Sequence, residues 1–192
     1  MPGPYHAEAE LYLASPGQGS AGAAGDSLAT EASAPLHVVL VHPQIPPNTG
    51  NIARLCAVTG SRLHLVAPLG FSLEEKHLRR AGLDYWDKVH ASTHQSFSEL
   101  CEDEKLEPGK VHLFTGQARR GLWQAQFAPG DWLIFGEEAR GLPQDVLLRF
   151  PERELRVPMI RDPSARSLNL STCAGIAVYE ALRQCRAAAN SE

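Results

Sequence analysis

From about residue 36 onward, apolar residues gather into short runs of strand length. LHVVLV (36–41), RLHLVA (62–67), KVHLFT (110–115), DWLIF (131–135) and ELRVPMI (154–160) read as buried strands, and DKVHAS (87–92) as a weaker one. Continuous rather than alternating apolarity is what a strand covered on both faces requires. Between the runs the period lengthens. NTGNIARLCAVTG places Ile52, Leu55, Cys56 and Thr59 at i, i+3, i+4 and i+7, opens on Asn48 as the expected N-cap and stops at Gly60. SLEEKHLRRAG and SFSELCEDEKL each open on a serine with acids near the first turn. The last helix is the most apolar, running through Ala174-Gly175-Ile176-Ala177-Val178. Strands alternating with helices predict an α/β fold, a parallel sheet with helices on both faces.

Composition then sets the limits. SPGQGSAGAAGDSLATEASAP (15–35) is small, polar and glycine-rich, so residues 1–34 are expected to be a flexible low-complexity extension, with AEAELYLA as a short helix within it. The ordered domain is expected over 35–186, followed by a tail at 187–192, and no internal repeat is visible. The extension lacks the charged start of a secretory signal and the arginines of a transit peptide. No apolar run approaches the roughly 20 residues that span a bilayer, so no membrane partner is expected. Cys56, Cys101, Cys173 and Cys185 show no CxxC or CxxH clustering and read as small buried hydrophobes in a reducing cytoplasm. His37, His64 and His112 alternate with apolar residues on expected strands, and His90 and His94 lie in a stretch rich in strand and turn formers. No metal site is read from these spacings.

The net charge of −4 argues at first against a nucleic-acid partner. Its distribution changes that picture. Residues 1–34 hold Glu8, Glu10, Asp26 and Glu31 and neither lysine nor arginine, so the rest of the chain is neutral and can still carry a local basic face. Lys76, Arg79 and Arg80 form one candidate patch, while Arg119, Arg120, Arg140, Arg161 and Arg166 are placed to surround a site. Arginine suits phosphate forks and base stacking in single-stranded RNA loops. A solvated helix face is the plain reading of the first patch.

Two glycine loops follow expected strands, Gly116-QARR-Gly121 and Gly136-EEAR-Gly141. A nucleoside-triphosphate loop needs Lys and Ser or Thr after its second glycine. Here Leu122-Trp123 and Leu142-Pro143 follow, no GxGxxG occurs, and Glu137 and Glu138 would repel a pyrophosphate. Phosphate cofactors and a nucleotide-dependent oxidoreductase are therefore disfavoured. A cofactor with an adenosine and no phosphate suits such loops, because open α/β sheets bind ligands at the C-terminal ends of their strands.

Three motifs carry the chemistry. In IPPNTGNIARLC, Arg54 lies about 200° around the helix from apolar Ile52 and points off the buried face. FGEEARGLP ends a strand in a glycine turn bearing carboxylates. RSLNLSTCAGIAVYEALRQ crowds Arg166, Ser167, Asn169 and Ser171 at the mouth of an apolar helix, where capping needs one polar side chain and four are present. In this order the three stretches resemble the motifs of the SPOUT-superfamily (SpoU/TrmH-type) RNA 2′-O-ribose methyltransferases. HPQIPPNTGNIARLC and LRRAGLDYWDKV look most like the small TrmL-type members, which modify the wobble nucleotide of leucine tRNAs. The resemblance runs from about Leu36 to Cys185.

The resemblance implies a C-terminal trefoil knot, a homodimer packed through the first and last helices, a tRNA substrate and S-adenosylmethionine (AdoMet) as cofactor. By motif position the cofactor would meet Phe114, Thr115, Gly116, Gly136, Glu138, Gly141, Leu142, Val157, Met159, Ile160, Ser167, Leu168 and Ser171. Arg54, Asn48, Ser167 and Asn169 are the catalytic candidates. The family's motif-one arginine has been cast as a base. An arginine keeps its proton with a pKa above about 12, so Arg54 is expected to hold a phosphate or the developing oxyanion while Ser167 and Asn169 orient the hydroxyl. At this level methylation of another tRNA position or of rRNA remains open, as does a non-catalytic RNA-binding module.

Overall fold

The computed structural model describes residues 35–72, 89–160 and 167–189. The expected N-terminal extension, the SLEEKHLRRAG helix and the end of the tail lie outside them, as do Lys76, Arg79, Arg80, Arg161 and Arg166. Among the described residues six strands form one sheet: β1 (Leu36–Val41), β2 (Arg62–Val66), β3 (Ala91–His94), β4 (Val111–Phe114), β5 (Asp131–Phe135) and β6 (Glu154–Leu155). Their order is β3-β2-β1-β5-β4-β6, and every pairing is parallel. The four helices among the described residues are α1 (Pro46–Thr59), α2 (Phe97–Asp103), α3 (Gln144–Arg149) and α4 (Leu170–Ala189).

Burial on both faces is what the continuous apolar runs foretold. Leu36, Val38, Leu40, Leu63, Leu65, Leu133 and Phe135 point to a core shared with α1 and α4. Val39, Val41, Val66, Trp132 and Ile134 point the other way, onto Phe97, Leu100 and Cys101 of α2 and Val146 of α3. Each fully buried Leu or Ile contributes about 1.5–3 kcal/mol, so the sheet's centre is where the stability of the fold is concentrated. No helix among the described residues is long and apolar enough to cross a membrane.

Three elements differ from expectation. ELRVPMI is a strand only at Glu154–Leu155. Arg156 makes one further bridge, to Gly121, and Pro158, having no N–H, cannot continue a ladder. Of the weak strand expected over 87–92, residues 87 and 88 lie outside the described residues, and the strand observed is Ala91–His94, in register with Leu63–Val66. QDVLLR forms a single short helix after Pro143 where no helix was expected.

Helix α1 begins two residues before Asn48. Its N-cap is Ile45, with Pro46 and Pro47 at the first two positions. Prolines carry no N–H, so two of the donors a helix start leaves unpaired are absent. Asn48 N bonds back to Ile45 O at 3.0 Å. No side-chain cap is needed, and the Asn48 side chain is released for other work. At the other end Gly60 adopts φ 70°, the left-handed stop read from the sequence.

On the α2 face three histidines form a row. His37 Nδ1 lies 3.1 Å from His64 Nε2, and His64 Nδ1 lies 3.3 Å from His94 Nε2. The His37 ring stacks on Trp132 with centroids 3.8 Å apart. Burial, aided by Arg62 and Lys110, pushes the His37 pKa down to about 4. Burial, with His37, His94 and Arg62 beside it, pushes His64 down to about 3. Both rings are neutral at neutral pH.

Candidate active site

The order of the sheet reverses at β1: the chain leaves it for β2 on one side, and β5 lies on the other. Ligand crevices form where strand order reverses, outside the carboxyl ends of the strands. The loops after β4 and β5, the segment after β6 and the start of α4 together enclose a cleft of about 730 Å³ at that edge. Phe114, Thr115 and Gly116 line it from β4, Gly136, Glu138, Arg140 and Gly141 from β5, and Val157 and Met159 from the segment after β6. Ser167, Leu168 and Asn169 close it, and Asn48 enters from α1.

The glycines do different things here. A Cβ on Gly136 would fall 2.0 Å from the carbonyl carbon of Gly141, because the loop folds back on itself there. Gly141 holds φ 75° and its N–H donates to Glu137 O at 2.9 Å. Only glycine fits either position. Gly116 is unconstrained: a Cβ there meets nothing within 4 Å, so the absent side chain leaves room in the cleft.

A chain of hydrogen bonds ties the three motifs together. The Glu138 carboxylate accepts from Gln44 N (3.0 Å), Ile45 N (3.1 Å) and Asn48 Nδ2 (3.0 Å). Asn48 Oδ1 accepts from Asn169 Nδ2 at 2.9 Å. Asn169 Oδ1 accepts from Ser171 N (2.9 Å), Ser171 Oγ (2.7 Å) and Thr172 N (3.3 Å), capping α4. The ends fix the direction of the relay. An ionised carboxylate only accepts and a helix start only donates, so each amide between them can point one way alone. The carboxylate at the start of α1 also meets the positive end of that helix.

Several candidates sit away from the cleft wall. Arg54 is exposed on α1, about 9 Å along the axis from Asn48 and facing another direction; it is not among the lining residues. Leu142 is buried beneath the loop against Val146, so it supports the wall without forming it. Ile160 points outward, 77% exposed. Ser171 is occupied in capping. Glu138 lines the cleft, but its carboxylate is taken by α1, leaving its backbone to face a ligand.

Other residues escaped the sequence reading. Arg156, Gln117 and Cys173 line the cleft. Arg156 was hidden within an expected strand, and Cys173 looked like an ordinary core position. Burial pushes the Cys173 thiol up to about 11, which makes it a neutral wall and no nucleophile. Arg140 pairs with Glu137 at 3.4 Å while remaining 88% exposed, so its guanidinium stands at the mouth.

The cleft offers backbone donors and acceptors, apolar surface from Phe114, Phe135 and Val157 and, among the described residues, no lysine. Comparison with known proteins agrees with that chemistry. Residues 35–179 match the SpoU rRNA Methylase family. A tRNA (cytidine(34)-2′-O)-methyltransferase from Polaromonas sp. (strain JS666) is 49% identical over 149 residues, covering 77% of this chain and 90% of that protein. A structure described as giving insights into the 2′-OH methylation of C/U34 on tRNA is 49% identical with a TM-score of 0.69, over 78% of this chain and 95% of that one. An AdoMet-bound rRNA methyltransferase from Sinorhizobium meliloti, 21% identical with a TM-score of 0.67, shares the fold over 80% of this chain and 57% of its own. With its parallel sheet, its three motifs joined at one cleft and a family match spanning most of its length, this chain belongs to the SpoU rRNA methylase family.

Proposed function

We propose that this protein methylates the ribose 2′-hydroxyl of the wobble nucleotide, cytidine or uridine 34, in tRNA, with leucine isoacceptors as substrates. The observation that carries the reading is the relay from Glu138 through Asn48 to Asn169. It fixes the polar mouth of α4 against a cleft whose donor set suits a phosphate-free adenosine cofactor. Relatives of near-equal length bearing that activity support the choice of substrate.

The cleft fits AdoMet on its own features. Gly116 leaves an open cradle, Phe114, Phe135 and Val157 offer apolar surface to an adenine, and Thr115–Gln117, Gly136–Gly141 and Val157–Met159 offer backbone groups. When bound, AdoMet supplies an electrophilic methyl group on a sulfonium. The residues then have to position a weakly acidic hydroxyl and stabilise the charge on its oxygen. Asn169 spends one N–H on Asn48, and its second can donate to that oxygen; the Ser167 hydroxyl stands two residues away on the same wall. Arg140 and Arg156 are placed to receive RNA phosphates. Arg54, outside the cleft of its own chain, reaches a cleft across a homodimer packed through α1 and α4. Val58, Ile176 and Tyr179 are exposed on those helices and give such a dimer an apolar face. The convergence of the loops after β4, β5 and β6 beside the start of α4 is consistent with the trefoil knot of the superfamily.

The test is to incubate the protein with AdoMet and unmodified leucine tRNA, then map 2′-O-methyl groups by nuclease digestion and mass spectrometry. A single methyl on ribose 34 is expected. Methylation at another nucleotide, or none with AdoMet bound, would remove the reading.

A further inference from the structure

The structure assigns a transition-metal site, suited to zinc, to His64, His94 and Glu104 at the β2–β3 edge of the sheet, none of which lines the methyl-transfer cleft. The ligand atoms of the three lie within 4.8 Å of one another. His64 Nδ1 and His94 Nε2 are 3.3 Å apart. Two nitrogens bound to one zinc at about 2.0–2.1 Å with a tetrahedral angle stand about 3.3–3.4 Å apart. Glu104 Oε1 is 4.0 Å from His64 Nδ1, at the C-terminal end of α2, where its side chain is 27% exposed and can close on an ion. Water would complete four-fold coordination, giving a two-histidine, one-carboxylate set.

The surroundings match what metal-binding histidines need. Such a ring donates its other N–H to an acceptor, which fixes the tautomer and aims the lone pair. His64 Nε2 has His37 Nδ1 at 3.1 Å as that acceptor, and the His37 ring is held on Trp132. The Asp103 carboxylate lies 3.8 Å from His94 Nδ1, beyond a direct hydrogen bond, but its exposed side chain can turn onto that N–H. With the protons placed outward on both rings, two lone pairs and a carboxylate oxygen crowd within 4.8 Å of one another, an arrangement that repels itself until a cation occupies it. The rival arrangement is a simple proton shared between His64 and His94. Ligands from β2, β3 and the end of α2 would make the ion a staple holding the sheet edge to its covering helix.

The test starts from protein stripped with a chelator. Uptake of one zinc per chain by isothermal titration is expected. Cobalt(II) should give the intense visible absorption of tetrahedral coordination without a sulfur-to-cobalt charge-transfer band, which excludes the cysteines. Glu104→Gln should weaken zinc binding by at least tenfold, and Asp103→Asn by about 10–100-fold. His94→Asn should abolish the cobalt spectrum, with far-UV circular dichroism verifying its fold. Because Glu104 and Asp103 are partly exposed, their variants report even if His94→Asn fails to fold. No stoichiometric uptake, a sulfur band, or uptake indifferent to Glu104→Gln and Asp103→Asn would overturn the assignment.

Discussion

Asn48 and Asn169 each have one donating and one accepting end, and Glu138 decides which way both face. Its carboxylate satisfies three donors, two of them backbone N–H groups just ahead of α1. In Glu138→Gln one oxygen becomes an NH2 that confronts at least one of those donors. Hydrogen bonds to charged groups contribute about 1.5–3 kcal/mol, so a loss of that size is expected in urea unfolding, with weaker binding of S-adenosylhomocysteine by titration calorimetry. An unchanged unfolding midpoint would mean that the carboxylate does not hold α1. The buried thiols make a second prediction. Burial pushes Cys56 up to about 12 and Cys173 to about 11, from an ordinary 9.0. Unfolded thiols lose their protons near pH 9 while the folded ones keep theirs, so their contribution to stability is complete below pH 9 and is lost as pH rises toward 11–12. The urea midpoint should fall between pH 8.5 and 10.5, less steeply in Cys173→Ala.

At the scale of elements, α4 tests the relay separately from the cap. Asn169→Asp keeps an acceptor for Ser171 N and Thr172 N, and its charge suits a helix start. It removes the donor to Asn48 Oδ1 and sets two oxygens face to face. Asn169→Ala loses the cap, about 1 kcal/mol, but creates no repulsion. If the relay matters, Asn169→Asp should lose methyl transfer at least as fully as Asn169→Ala while keeping more helix content by circular dichroism. Equal activity in Asn169→Asp and wild type would confine Asn169 to capping. The elements themselves were largely legible. LHVVLV and DWLIF appear at their expected bounds because continuous apolarity allows one answer in a sheet covered on both faces. ELRVPMI misled, since its apolar tail serves a cleft wall instead of a ladder, and Pro158 was the available warning. Asn48 read as a cap, yet Pro46 and Pro47 ahead of it carry no N–H to satisfy and let the helix begin two residues earlier.

For the whole molecule, partners far apart in the chain were beyond local pattern. Motif order announced one cleft, yet a sequence separation of 121 between Asn48 and Asn169 gives no hint that their side chains touch. His64, His94 and Glu104 were passed over for the same reason: the pairing of β2 with β3 and the packing of α2 on the sheet, not spacing, bring them together. Arg54 raises a question only an assembly answers. If the proposed homodimer shares its clefts, mixing Arg54→Ala with Asn169→Ala chains should restore part of the activity that each variant lacks alone, because a mixed dimer would then hold one intact cleft supplied from both chains. No recovery, with mixed dimers demonstrated, would place Arg54 at its own cleft.

One consequence follows from Asn48 reaching both Glu138 and Asn169. The same amide that braces the cleft wall also sets how the first helix lies against the last. Whatever a ligand gains by tightening that amide, the helix pair gains equally, since a thermodynamic cycle closes in both directions. Occupancy of the cleft and cohesion of the two helices are therefore reciprocal, with three side chains as the shared hinge.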